Sequence, residues 1–104
     1  MHHVRTTRRA DEDILDAVAH YVEEGAEDAA LRLVDALENA KELLGAHPSL
    51  GSPRLAIEIG MPDLRSLTLQ RFPYAVLYTE SADVVRILRV LHTRRDIPVE
   101  LAEE

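Results

Sequence analysis

The side chains able to move protons or hold anions crowd into one stretch, RFPYAVLYTESADVVRILRVLHTRR, residues 71–95. It carries one imidazole, His92, two phenols, Tyr74 and Tyr78, and five guanidiniums, Arg71, Arg86, Arg89, Arg94 and Arg95, with Arg65 just upstream. Imidazole exchanges protons near neutral pH, whereas arginine stays charged and supplies only fixed positive charge. A base, an acid and a cation placed around a phosphorane would cut a phosphodiester bond; His92, Tyr74 and Tyr78 are the candidates for the proton transfers, and Arg86, Arg89, Arg94 and Arg95 beside His92 are candidates for the cation. The simpler reading is that His92 closes a strand and that Tyr74 and Tyr78, at i and i+4 on one strand face, are core or partner-contact aromatics. His2, His3, His20 and His47 lack metal-ligand spacing, and the absence of cysteine removes thiolate sites, disulfides and cysteine nucleophiles. No metal and no cofactor is expected.

These residues need elements to hold them. The segment HHVRT, residues 2–6, reads as a short edge strand. Thr7 is placed to cap a helix from about Arg8 to Glu24, with Asp11, Glu12 and Asp13 near its positive end and Ile14, Leu15, Val18, Tyr21 and Val22 on its apolar stripe. Gly25 ends it. A second helix starts near Ala26 to Asp28, buries Ala30, Leu33, Val34, Leu37, Ala40 and Leu44, and stops at Gly45, so the two must form an antiparallel hairpin. Residues 46–64 hold three prolines and two glycines and read as an irregular connection, in which LAIEI pairs briefly as a strand and Arg54 fixes the loop through its carbonyls.

From Arg65 the apolar period changes from 3.6 to 2. RSLTLQ, YAVLYT and DVVRILRVLH form a three-stranded meander, with ESAD as a four-residue hairpin loop between the last two. The last strand is apolar on both alternating sets, and Arg86 and Arg89 fall on opposite sets. A hairpin of helices covers one face only, so the other is expected to be open and to receive a partner. The whole chain, residues 1–104, is read as one α+β domain: an N-terminal strand, a helix hairpin on one face of a small antiparallel sheet, and a C-terminal meander.

The net charge of −7 is unevenly distributed. Residues 1–9 and 54–95 are each +3, residues 11–42 are −9 and residues 96–104 are −4. Overall acidity argues against nucleic-acid binding by the chain alone, because phosphate contacts need a basic field. The acids from Asp11 to Asp16 and Glu23 to Asp28 read as a solvated face. No apolar run approaches the roughly 20 residues that span a bilayer, and no leader-like segment opens the chain, so a cytoplasmic protein is expected. The order of residues 96–104 stays open.

The order strand, helix hairpin, meander, together with HPSLGSPR, LRSLTLQRFPYAVLY and VVRILRVLHTRRD, resembles the RelE/ParE superfamily of type II toxin–antitoxin toxins and is closest to its ParE-like members. Its specific parts are Pro48 and Gly51 in P-x-x-G, Arg65 opening the first meander strand, Phe72, Pro73, Tyr74 and Tyr78 in F-P-Y-x-x-x-Y, and His92, Arg94 and Arg95 at the end. The resemblance implies a cognate antitoxin covering the open sheet face and a role in plasmid stabilisation. It also implies one of two targets: DNA gyrase for ParE-like members, which hydrolyse nothing, or mRNA in the ribosome for RelE-like ones, in which case His92, Arg65 and Arg86 would be the catalytic set. RelE-like enzymes are strongly basic, whereas this chain is acidic, which favours the gyrase-directed class. An inactive, antitoxin-binding member is the third reading. Arg65, Arg71, Tyr74, Tyr78, Arg86, Arg89, Arg94 and Arg95 are the candidate contacts to antitoxin or target.

Overall fold

The computed structural model describes residues 2–95 and 97–102. The order is β1 (His3–Thr6), α1 (Arg8–Glu23), α2 (Glu27–Ala46), α3 (Arg54–Ile59), β2 (Arg65–Thr68), β3 (Tyr74–Ser81), β4 (Val84–His92) and α4 (Ile97–Ala102). The strands form one sheet in the order β1-β4-β3-β2. The meander is antiparallel as expected, but β1 lies at the edge parallel to β4, so the sheet is mixed.

Helix α1 begins where Thr7 accepts the Ala10 N–H at 3.1 Å. It ends at a left-handed Gly25, φ 76°, with the Gly25 and Ala26 amides donating to the Val22 and Tyr21 carbonyls, a Schellman closure. Its buried stripe is Ala10 and Ala17, flanked by Ile14, Val18 and Tyr21. Leu15 and Val22, expected on that stripe, are exposed. In α2 the stripe Ala30, Leu33, Leu37, Ala40 and Leu44 is buried, while Val34 faces out.

Gly45 does not stop α2. It is buried within the last turn, and its carbonyl accepts the His2 N–H at 2.8 Å, so the helix runs to Ala46 and ties down the start of β1. LAIEI is not a strand but α3: the Ser52 hydroxyl accepts the Arg54 N–H at 3.2 Å and Gly60, at φ 79°, closes the helix. The β3–β4 hairpin is also tighter than expected. Strand β3 continues to Ser81, and Ala82 adopts φ 53° in a two-residue turn that no glycine announces.

The largest departure concerns the second face of the sheet. Leu77 and Leu91 there are covered by the chain itself, in a cluster with Ala56 of α3, Leu64 and Leu101 of α4. Strand β4 serves both faces through a bulge: Tyr78 pairs with Ile87 and Leu77 with Arg89, which leaves Leu88 without a cross-strand partner. The bulge resets the alternation, so Val85, Ile87 and Val90 all join the helix-hairpin cluster. Arg86 and Arg89, opposite Thr79 and Leu77, therefore share the second face and do not point to opposite ones.

Candidate functional site: an apolar groove and the arginine end of the sheet

Helix α1 packs over β4, and α2 runs towards β1, which leaves the β2 side of the first face without a helix above it. The result is a groove of about 1220 Å³ between α2 and β2. Its wall on α2 is Ala36, Ala40 and Leu43; its floor is Leu67, Leu69 and Phe72; Leu50 closes one side. Leu43 and Leu50 are 47% and 49% exposed, a high value for leucines facing a concave surface. Arg32 and Arg71 stand on the rim among Asp35 and Glu42. The open apolar surface is thus on the face expected to be covered, because two helices span only half of a four-stranded sheet.

Of the candidate contact residues, only Arg71 lines this groove. It is exposed and held at φ 69°, a left-handed conformation that a side chain with Cβ adopts at a cost of about 1–2 kcal/mol. Arg65 does not reach it. Its Nη1 donates to the carbonyls of Ser49 at 3.1 Å and Gly51 at 2.8 Å, so Arg65, not Arg54, is the arginine that fixes the connection. Tyr78 is fully buried; its hydroxyl donates to the Pro48 carbonyl at 2.7 Å and accepts the Gly51 N–H at 2.7 Å. Burial raises the Tyr78 pKa, opposed by the Gly51 hydrogen bond and the charge of Arg65.

Arg89 is not available to a partner either. It is 2% exposed and grips Asp13 through Nε at 2.7 Å and Nη2 at 3.0 Å, while Nη1 donates to the Glu100 carbonyl at 3.3 Å. Asp13 also accepts the Val90 N–H at 3.0 Å. This carboxylate, read from sequence as part of a solvated face, instead seals the edge of β4 beyond the end of β1. One signal was present: an acid one turn into a helix can reach the edge of a strand that carries an arginine.

A second, smaller cavity of about 410 Å³ lies at the end of β4, lined by Asp13, Asp16, His20, Tyr74, His92, Arg94 and Arg95 among others. Tyr74 meets His92 edge to face at 5.3 Å, and its pKa is raised, first by burial and then by Tyr21, with Arg95 acting the other way. His92 Nδ1 accepts the Arg94 N–H at 3.1 Å, in the turn that follows β4. Arg95 pairs with Glu100 at 3.4 Å, so the described part of the acidic tail folds back on arginine; Asp96, Glu103 and Glu104 lie outside the described residues.

The ribonuclease set is not assembled. Arg65 sits opposite Tyr78 and His92 opposite Tyr74, four residues apart along β3 or about 13 Å at strand rise. Arg86 projects from the other face of the sheet, beside Arg5, with no carboxylate paired to it among the described residues. Three groups so dispersed cannot surround one phosphorane. Among the described residues no cluster of three metal-ligating side chains occurs, and no helix is long and apolar enough to cross a membrane.

A helix hairpin over a four-stranded mixed sheet, with a meander closing the chain, is the RelE/ParE-like α+β architecture. Comparison with known proteins narrows this to a family. The model of the family described as "ParE toxin of type II toxin-antitoxin system, parDE" matches residues 4–97. A curated relative from Sinorhizobium fredii, named "Putative toxin Y4kP", is 33% identical over 84 residues, 81% of each chain. A solved chain from the chromosomal ParDE toxin–antitoxin system of P. aeruginosa superposes with a TM-score of 0.73 at 26% identity, covering 88% of this chain and 96% of that one. The chain belongs to the ParE toxin family of type II toxin–antitoxin systems.

Proposed function

We propose that this toxin is kept inactive by a cognate antitoxin that lays an apolar segment into the groove between α2 and β2, and that the freed toxin inhibits DNA gyrase. The observation that carries the first half is the groove itself: an exposed, leucine-lined surface, on a chain whose Leu77 and Leu91 on the other sheet face are already covered by its own α3 and α4. The second half is supported by family membership, by the net charge of −7, and by the scattering of the residues that RNA cleavage would need. A cytoplasmic location and a part in plasmid stabilisation belong to the same reading.

The test is a gyrase supercoiling and DNA-cleavage assay with purified toxin, run with and without its antitoxin. Lost supercoiling or accumulated cleaved DNA, reversed by antitoxin, is the expected result. Leu43→Glu, which puts a charge into the groove, should leave gyrase inhibition intact and make antitoxin unable to reverse it. Intact supercoiling with folded toxin would reject gyrase as the target, and reversal undiminished by Leu43→Glu would reject the groove.

A further inference from the structure

The P-x-x-G segment, whose Leu50 closes one side of the groove, is held by a dense set of hydrogen bonds. Between the end of α2 and Pro53 the backbone is fixed group by group. The Pro48 carbonyl and the Gly51 N–H go to the Tyr78 hydroxyl. The Ser49 and Gly51 carbonyls go to Arg65. The Ser52 N–H and carbonyl pair with Ser66 of β2 at 2.8 and 2.9 Å. Gly51 lies so close that a Cβ there would stand 2.6 Å from the Tyr78 hydroxyl oxygen and 2.9 Å from the Ser66 carbonyl. Within this clamped run Leu50 alone turns a large apolar side chain to the groove, half exposed.

We infer that Tyr78 and Arg65 are positioning residues for partner binding: from beneath the surface they hold residues 48–51 as a preformed wall, so that Leu50 meets the antitoxin already in place. This rests on the groove being the antitoxin's seat. Neither residue lines the groove, and the Tyr78 ring is fully buried, so any effect on affinity has to pass through the loop. A wall fixed beforehand spares the complex the ordering of several backbone and side-chain torsions, and a central apolar anchor contributes most when its position is set in advance. The motif's residue types follow from this. Gly51 is required by the approach of the Tyr78 hydroxyl, and the arginine opening β2 ties the Ser49 and Gly51 carbonyls to the sheet.

The experiment is a titration of purified cognate antitoxin against wild type, Tyr78→Phe, Leu50→Ala and the double variant. Tyr78→Phe keeps the buried ring and removes the hydroxyl; it should still unfold cooperatively and should bind antitoxin roughly tenfold more weakly, the weight of one or two residues left to be ordered on binding. The decisive readout is non-additivity. Leu50→Ala should weaken binding in the wild type and much less in the Tyr78→Phe background, because a leucine on a loosened loop has already lost its placement. Wild-type affinity in folded Tyr78→Phe, or effects of the two substitutions that simply multiply, would overturn the inference. If Tyr78→Phe does not fold, Arg65→Leu carries the same cycle with Leu50→Ala. If Leu43→Glu and Leu50→Ala both leave affinity unchanged, the groove reading itself falls; if they weaken binding and Tyr78→Phe does not, only the brace falls.

Discussion

At the scale of single residues, two interior contacts bind distant parts of the chain. Asp13 satisfies Arg89 with both carboxylate oxygens and takes the Val90 amide as well. Removing one partner of such a pair leaves an uncompensated charge, so Asp13→Ala should lower unfolding free energy by about 3–5 kcal/mol in denaturant titration. Asp13→Leu combined with Arg89→Met should lose much less, since no charge is then stranded. A double variant as unstable as the single one would show that the carboxylate acts through the Val90 amide alone. The tyrosines set the alkaline limit. Tyr74 and Tyr78 have pKa values raised above the ordinary 10.0, chiefly by burial. Below pH 10 both folded and unfolded chains keep these protons, and the contribution is fully present; above it the unfolded chain releases protons that the folded one retains, so stability falls as pH rises through the folded values. Unfolding compared at about pH 9 and about pH 11 should show this loss, and Tyr78→Phe should reduce it.

At the scale of elements, the sequence was most readable where one local rule governs. The Thr7 cap, the Gly25 stop, the α2 stripe apart from Val34 and the three meander strands follow from periodicity and capping, which act within a few residues, whereas the α1 stripe is narrower than expected and leaves out Leu15 and Val22. It was least readable where a contact from far along the chain decides. LAIEI alternates like a strand, but Ser52, Gly60 and the cover of Leu77 and Leu91 make it helix α3. Gly45 looks like a stop until the His2 amide claims its carbonyl. The bulge at Leu88 leaves no mark in a run of valine, leucine and isoleucine. Helix α4, six residues long, is too short to persist alone and depends on its docking. Leu101→Asp should therefore release α4 without unfolding the sheet, seen as faster trypsin cleavage after the exposed Arg94 and Arg95 while the helical circular dichroism falls only slightly. Unchanged proteolysis would mean that α4 contributes little to the cover.

At the scale of the whole molecule, the expectation that the sheet has one uncovered face does not hold, because buried clusters lie on both faces and the opening is confined to the β2 side of the first. Two helices do cover only part of a four-stranded sheet. What the pattern could not reveal is that α3 and α4 take the second face while the first stays open beside α2. The candidate contacts sort accordingly: Arg71 on the groove rim, Arg86, Arg94 and Arg95 exposed elsewhere, Tyr74 mostly buried against His92, and Arg65, Tyr78 and Arg89 committed to holding the fold. Residue type and strand position identify an arginine as a candidate, but only the third dimension shows whether its charge is already spent.

The parallel pairing of β1 with β4 bears on how the protein comes into being. Thr7 closes on the Leu88 carbonyl 81 positions later, and Asp13 on Arg89 at a separation of 76. Chains are made at about 5–20 residues per second, so the first strand waits roughly 4–16 s for the strand that seats it. Until then the sheet lacks β4, the strand on which α1 packs and the one that joins β1 to β3. A nascent or prematurely terminated chain ending before Val84 lacks both the seat for its own first strand and the β4 residues Val85, Ile87 and Val90 of its principal core. The architecture thus postpones the completed sheet to the last moments of synthesis.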